Sequence, residues 1–83
     1  MKYHTVTIGG TYRHYKNKKK YRTVDTATHT ETGEYLVIYY CLDDEYGEHR
    51  MFARPKEIFE EGLIIDGDIV PRFKLITPKV KAD

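Results

Sequence analysis

The sequence predicts a mainly β domain with one short α-helix, a small, partly open barrel of antiparallel strands of the SH3-like or OB-like kind. Two observations lead to this prediction: short segments rich in Tyr, Val and Thr alternate with turn residues, and only one segment has a helical pattern. With 83 residues, the chain forms one domain, which we place at residues 1–76. Residues 77–83 are expected to be a frayed polar tail.

The predicted strands are short stretches in which β-branched and aromatic residues recur between turn signals. One stretch, residues 35–42, is apolar on both faces and therefore predicts the most buried, central strand. The predicted strands span residues 2–8, 11–16, 21–29, 35–42 and 49–54, followed by a hairpin over 64–70 and a closing strand over 73–76.

Two turns determine how these strands are expected to pair. A polar turn at residues 17–20 joins the second and third strands, and this loop length places His14 opposite Thr23. Asp66-Gly67 between apolar residues favours a type I′ hairpin, because both residues tolerate a positive φ. The sequence therefore predicts one hairpin near each end of the domain.

Residues 55–61 predict the only helix. Pro55 suits the first helical position and Gly62 suits the position just past the end. Ile58 and Phe59 are expected to face the core, because a helix of two turns is stable only when it docks on the sheet.

The sequence argues against three classes of protein: disulfide-stabilised, secreted and membrane-spanning proteins. Cys41 is the only cysteine, so no internal disulfide forms, and its apolar strand predicts a buried side chain rather than a nucleophile. The N-terminus lacks a signal-peptide pattern, and the apolar stretch 35–42 is too short to span a bilayer. We therefore expect a cytoplasmic protein that does not bind membranes.

No motif with a known catalytic mechanism is present, so we expect neither an enzyme nor a cofactor. The histidines and Cys41 lack the Cys-x-x-Cys or His-x-x-x-His spacing of metal ligands, so we expect no metal site. The metal candidates considered are His4, His14, His29, Cys41 and His49.

The charges are segregated along the chain, although the net charge is only +1. Residues 1–24 contain seven Lys or Arg and no acid, whereas residues 25–48 contain seven acids and no Lys or Arg. Either these segments lie side by side and neutralise each other, or the surface is dipolar with one basic end.

The first hairpin combines basic and aromatic residues. Lysines neutralise phosphates and tyrosine rings stack on bases, so this hairpin predicts a surface for RNA or another single-stranded nucleic acid. One alternative is a solvated tip whose lysines discourage aggregation. Another is a protein-interaction module that binds a peptide at a sheet edge or aromatic groove. The candidate nucleic-acid contacts are Tyr15, Lys18, Lys19, Lys20, Tyr21 and Arg22.

Five motifs occur in order along the chain: residues 12–16 (YRHYK), 29–32 (HTET), 36–39 (LVIY), 52–55 (FARP) with Glu57 and Phe59, and 70–73 (VPRF). Together, over residues 9–73, they resemble the bacterial domain of unknown function 1653 family. The resemblance implies a small bacterial domain without an established activity. Three positions differ from the usual family residue: Asn17 replaces Gly, Phe52 replaces Trp and Ile58 replaces Met.

Several polar residues of these motifs are not required by packing. If the barrel brings them together, they could hold an anion or a small polar ligand, with Arg54 as a planar bidentate donor. In the structural alternative, His29 and Glu31 organise a turn, and Arg54 pairs with an acid near the helix start. The candidate ligand-binding residues are Tyr12, Arg13, His14, Lys16, His29, Glu31, Arg54 and Arg72.

Overall fold

The computed structural model describes residues 1–44 and 50–78. Within them, the prediction of a mainly β fold with one short helix is confirmed. The elements are β1 (Thr11–His14), β2 (Lys20–Thr28), β3 (Tyr35–Cys41), β4 (Met51–Pro55), α1 (Lys56–Phe59), β5 (Gly62–Ile65), β6 (Asp68–Pro71) and β7 (Phe73–Thr77).

The main sheet is antiparallel and has the strand order β4-β3-β2-β1-β7, while β5 and β6 form a separate hairpin. In the described part of the chain, β4 and β7 are the two edges and do not pair with each other, so the sheet is not closed into a barrel. Thr77, expected to begin the tail, ends β7. Residues 79–83 of the predicted tail lie outside the described residues.

The turn between β1 and β2 is displaced toward the N-terminus, and this changes the register of the hairpin. Residues 15–19 form the connection between the strands, so Tyr15 and Lys16 do not extend β1 as expected. The backbone N–H of His14 donates to the carbonyl of Lys19 (3.0 Å). The predicted placement of His14 opposite Thr23 is therefore wrong.

The N-terminal segment is not the predicted edge strand. Over residues 2–8 the only ladder contact is an isolated bridge between Lys2 and Glu61. The backbone N–H of Val6 instead donates to the carboxylate of Glu60 (2.7 Å). This N–H is bonded to the Glu60 side chain and not to a neighbouring strand. The segment therefore lies across the end of α1 without joining a sheet.

The core lies between α1 and one face of the main sheet, which we call the inner face; the opposite face is the outer face. Phe59 of α1 stacks on Phe73 of β7, with ring centroids 4.2 Å apart and planes at 7°. Both rings are fully buried. The core residues are Tyr12, Val37, Tyr39, Phe59 and Phe73.

The helix is shorter than predicted. Pro55 belongs to β4 and is the N-cap, so it does not occupy the first helical position. Phe59 is 0% exposed, whereas Ile58 is 37% exposed, so the prediction that Ile58 faces the core is wrong. A single turn of helix presents only one large side chain to the sheet.

No helix in residues 1–44 and 50–78 is long and apolar enough to cross a membrane.

The β5–β6 hairpin has the turn that the sequence predicts. Asp66 has φ 51° and Gly67 has φ 83°, so both central residues have the positive φ of a type I′ turn. Ile64 and Ile69 form a cross-strand pair near this turn and are largely exposed.

We expect Phe59→Ala to lower the free energy of unfolding by about 3–5 kcal/mol, because it removes the ring that seats α1 on the sheet. Ile58→Ala is the matched control in the same turn of helix, and we expect it to cost about 1 kcal/mol or less because Ile58 is partly exposed. Urea denaturation followed by circular dichroism measures both values. Equal costs for the two variants would contradict the proposed role of Phe59.

Candidate functional site

On the inner face of the main sheet, the buried core rings of Tyr39 and Phe73 are bordered by partly exposed rings and cations. Cross-strand neighbours share a face of an antiparallel sheet, so the register brings together side chains from all five strands. We call this patch the aromatic–arginine face. It consists of His14 (β1), Tyr21 (β2), Tyr39 (β3), Phe52 and Arg54 (β4), and Phe73 (β7).

Phe73 is the ring around which this face is arranged. The guanidinium carbon of Arg54 lies over the ring, 5.4 Å from its centroid. The imidazole of His14 meets Phe73 edge-to-face, at 4.9 Å between centroids and 82° between planes. Since Phe73 is held by Phe59, two polar side chains from distant strands are positioned against one fixed ring.

Arg54 has no carboxylate partner within 4.0 Å among residues 1–44 and 50–78, and its Nε–H donates to the hydroxyl of Tyr39 (3.1 Å). The expected alternative, a pair between Arg54 and an acid near the helix start, is not what the described residues show. There the carboxylate of Glu60 pairs with Lys56 instead (2.8 Å). The outer nitrogens of Arg54 can therefore donate two parallel hydrogen bonds to an anion.

His14 is a neutral hydrogen-bond donor within this cationic patch. Burial lowers the pKa of His14 below 6.5, and the charges of Arg54, Arg72 and Lys16 lower it further. The backbone N–H of Lys16 donates to Nδ1 of His14 (3.1 Å), so the neutral ring carries its proton on Nε2. The imidazole therefore presents an N–H beside uncompensated positive charge.

The hairpin turn is attached to the same face through Tyr21. The side-chain amide of Asn17 donates to the hydroxyl of Tyr21 (3.0 Å). The ring of Tyr21 meets Phe73 edge-to-face at 5.7 Å. Burial raises the pKa of Tyr21, so its hydroxyl stays neutral at physiological pH. Asn17 thus contacts the aromatic–arginine face.

Four of the predicted ligand-binding residues lie at or around this face: His14, Lys16, Arg54 and Arg72. Tyr12 does not, because it lies against the N-terminal segment: its hydroxyl accepts from the N–H of Thr7 (2.8 Å) and its ring stacks on His4. Arg13 alternates with Tyr12 along β1 and therefore lies on the outer face.

The other two predicted ligand-binding residues follow the far end of β2 and organise a turn. The backbone N–H of Glu31 donates to Nδ1 of His29 (3.2 Å), and the N–H of Gly33 donates to the carbonyl of His29 (2.8 Å). Gly33 has φ 78°, as this turn requires. The structure therefore places His29 and Glu31 as the structural alternative predicts, at the opposite end of β2 from His14.

The predicted nucleic-acid contacts are divided between the two faces. Tyr15 packs on His14 (5.1 Å between ring centroids), and Tyr21 belongs to the aromatic–arginine face. Lys20 and Arg22 alternate with Tyr21 and lie on the outer face. Lys18 and Lys19 are exposed in the turn that connects the two faces.

The basic and acidic segments do not neutralise each other through ion pairs in the described part of the chain. Their nearest approach is the Asp43 carboxylate, which accepts the backbone N–H of Lys20 (2.7 Å) and leaves the ammonium group unpaired. The two segments therefore lie side by side where the end of β3 meets the start of β2. Two acids of the predicted loop, Glu45 and Glu48, lie outside the described residues.

Sequence reasoning missed three members of the face, Tyr39, Phe52 and Phe73. In the sequence, each lies within a predicted strand and has no polar group that marks a site. The available signal was their position in the motifs that also contain the predicted site residues Arg54 and Arg72. The motifs give no information on the pairing of β7 with β1, which brings Phe73 to His14.

Cys41 and the described histidines other than His14 add no group to this face. Cys41 is buried, as its apolar strand predicts. Residues 1–44 and 50–78 contain no group of three or more His, Cys, Asp or Glu arranged to hold a metal ion. The metal candidate His49 lies outside the described residues.

We expect the His14 pKa to lie below 6.5 and to rise in Arg54→Gln, because that variant removes one of the charges that disfavour the imidazolium. Since the native pKa is below the unfolded value, the contribution of neutral His14 to stability is complete above pH 6.5 and declines as pH falls below it. NMR titration of the histidine ring protons measures the pKa. Lys2→Gln is the control and should leave it unchanged; an unchanged pKa in Arg54→Gln would contradict the account.

Comparison with known proteins is consistent with this architecture. Residues 10–75 match the family model described as "Protein of unknown function (DUF1653)". The chain is similar to a crystal structure of a DUF1653 protein from Bordetella bronchiseptica, with 31% identity over 90% of this chain and 92% of that chain and a TM-score of 0.69. A search of curated proteins finds no match. The resemblance noted in the sequence is thus confirmed: the chain belongs to the DUF1653 family.

Proposed function

We propose that this domain is a non-catalytic binding module for single-stranded nucleic acid and that the aromatic–arginine face is its binding site. The observation that carries the proposal is Arg54, which has no described carboxylate partner and lies against the same ring as the neutral imidazole of His14. A phosphate is the ligand that matches this chemistry.

The phosphate would accept two hydrogen bonds from the outer nitrogens of Arg54 and one from Nε2–H of His14. Arg72 and Lys16 contribute positive potential at His14 without occupying the site. Arg72 is already paired with Glu61 (3.2 Å), so its guanidinium is held in place. Hydrogen bonds from a charged donor to a phosphate are about twice as strong as neutral ones, so Arg54 should dominate the affinity.

The rings beside the phosphate support a nucleic acid over an inorganic anion. Tyr21 and Tyr15 are partly exposed and offer ring surface to a base, while the 36% exposed ring of Phe52 already has the guanidinium of Arg50 over it, 5.8 Å from its centroid. Stacking on an aromatic side chain contributes about 1–3 kcal/mol per base and tolerates any sequence. The proposed ligand is therefore an RNA or DNA strand recognised without strong sequence preference.

Binding rather than catalysis is supported by the contacts of the two groups with catalytic potential. The thiol of Cys41 is buried, out of reach of a substrate. His14 contacts aromatic rings and the backbone N–H of Lys16.

The test is fluorescence anisotropy with a labelled six-nucleotide oligouridylate and its DNA counterpart. We expect Arg54→Gln to weaken binding by about tenfold or more, because it removes a charge-assisted contact worth about 1.5–3 kcal/mol. Arg54→Lys should be intermediate, since it keeps the charge but loses the fork. Affinity should fall as salt rises.

Lys2→Gln is the matched control, because it removes the same charge at an exposed side chain near α1. It should change the affinity less than twofold. Affinity that does not depend on salt would favour the alternative function, a peptide bound at a sheet edge. No binding of either oligonucleotide by the unaltered protein would rule out the proposal.

A further inference from the structure

Three cations lie side by side on the outer face of the main sheet. Arg13 of β1 is paired with Lys20 of β2 on one side and with Lys74 of β7 on the other. Neighbouring strands are about 4.8 Å apart, so the three backbone positions span about 10 Å across the sheet. We call Lys74, Arg13 and Lys20 the cationic rank.

No carboxylate in residues 1–44 and 50–78 forms an ion pair with any member of the cationic rank. The acid nearest to it in contact is Asp43, which binds the backbone of Lys20. Near α1, by contrast, Lys56 and Arg72 are each paired with a glutamate. Among the described residues, cations without an ion-pair partner are thus concentrated near the turn between β1 and β2.

The cationic rank is unfavourable for the fold on its own. Like charges directly opposite each other on neighbouring strands are destabilising, by a few tenths of a kcal/mol for each pair. Arg22, the next outer residue of β2, adds a fourth cation, and its Nε has no hydrogen-bond partner. A bound polyanion would remove this repulsion.

The hairpin turn connects the cationic rank with the aromatic–arginine face. Lys16, Lys18 and Lys19 are exposed in this turn, between His14 on the inner side and Lys20 on the outer side. A nucleic-acid strand with one phosphate bound at Arg54 can therefore follow the turn to the outer face along positively charged side chains. The outer face contributes exposed cations rather than a cluster of rings, which suits a sugar–phosphate backbone rather than bases.

From this arrangement we infer that the cationic rank is a second contact for the same nucleic-acid strand and binds its phosphates independently of sequence. The inference rests on the proposed function. Short oligonucleotides would occupy the aromatic–arginine face alone, whereas longer ones would also reach the cationic rank. The domain would then prefer long single strands to short ones.

The experiment compares six-nucleotide and twenty-nucleotide oligouridylates by fluorescence anisotropy over a salt series, using a triple variant with Arg13→Gln, Lys20→Gln and Lys74→Gln. We expect the unaltered protein to bind the longer strand more tightly and the triple variant to lose that difference. The slope of log affinity against log salt should fall by about 2 for the longer strand, because three phosphate contacts are lost. Binding of the short strand should stay within twofold.

Thermal unfolding of the triple variant serves as the folding control, and its midpoint should not fall, since repulsion is removed. Arg13→Lys keeps the charge and should preserve the preference for the longer strand, whereas Arg13→Gln should reduce it. Lys2→Gln removes one charge elsewhere and should not.

The outcomes separate the two proposals. If Arg54→Gln loses both strands while the triple variant binds the long strand normally, the cationic rank is not a nucleic-acid contact and the proposed function stands. If the triple variant loses the long strand while Arg54→Gln does not, the rank is supported and the proposed site is wrong. If the triple variant instead loses only binding to phosphatidylserine vesicles, the rank is a membrane contact and the inference is overturned.

Discussion

The stacked pair of Phe59 and Phe73 is the contact on which both the fold and the candidate site depend. A helix of one turn has no stability of its own, so α1 exists because Phe59 is buried against the sheet. The same contact fixes the Phe73 ring in β7. That ring positions His14 and Arg54, which belong to strands at separate places in the sheet order.

The positive charges of the domain fall into two groups with different environments. Near α1, burial raises the pKa of Glu60, but hydrogen bonds from Lys56 and from the N–H of Val6 outweigh this and lower it. Those cations have structural partners. Arg54, whose guanidinium lies over Phe73, and the cationic rank beside the β1–β2 turn have no described carboxylate partner, so both can attract an anion.

Much of the fold was predictable because its signals are local. Apolar alternation identified the strands, and Asp66-Gly67 identified the type I′ turn. The register of β1 and β2 was not predictable. Lys18 takes a left-handed φ of 63° in the turn between them, and the composition of that turn predicts a different length. The course of residues 2–8 depends on Glu60, which is 54 residues from Val6 in the sequence.

The site was predictable only in part, for the same reason. The motifs identified His14, Arg54 and Arg72, but they equally identified His29 and Glu31, which organise a distant turn. The pairing of β7 with β1, which the motifs do not specify, distinguishes His14 from His29 and Glu31, because it brings Phe73 to His14. The most direct test of the account is chemical-shift mapping with ¹⁵N-labelled protein and a short oligouridylate. We expect the largest changes at the Nε–H of Arg54 and the ring of His14; changes confined to the β5–β6 hairpin, with Arg54 unaffected, would contradict it.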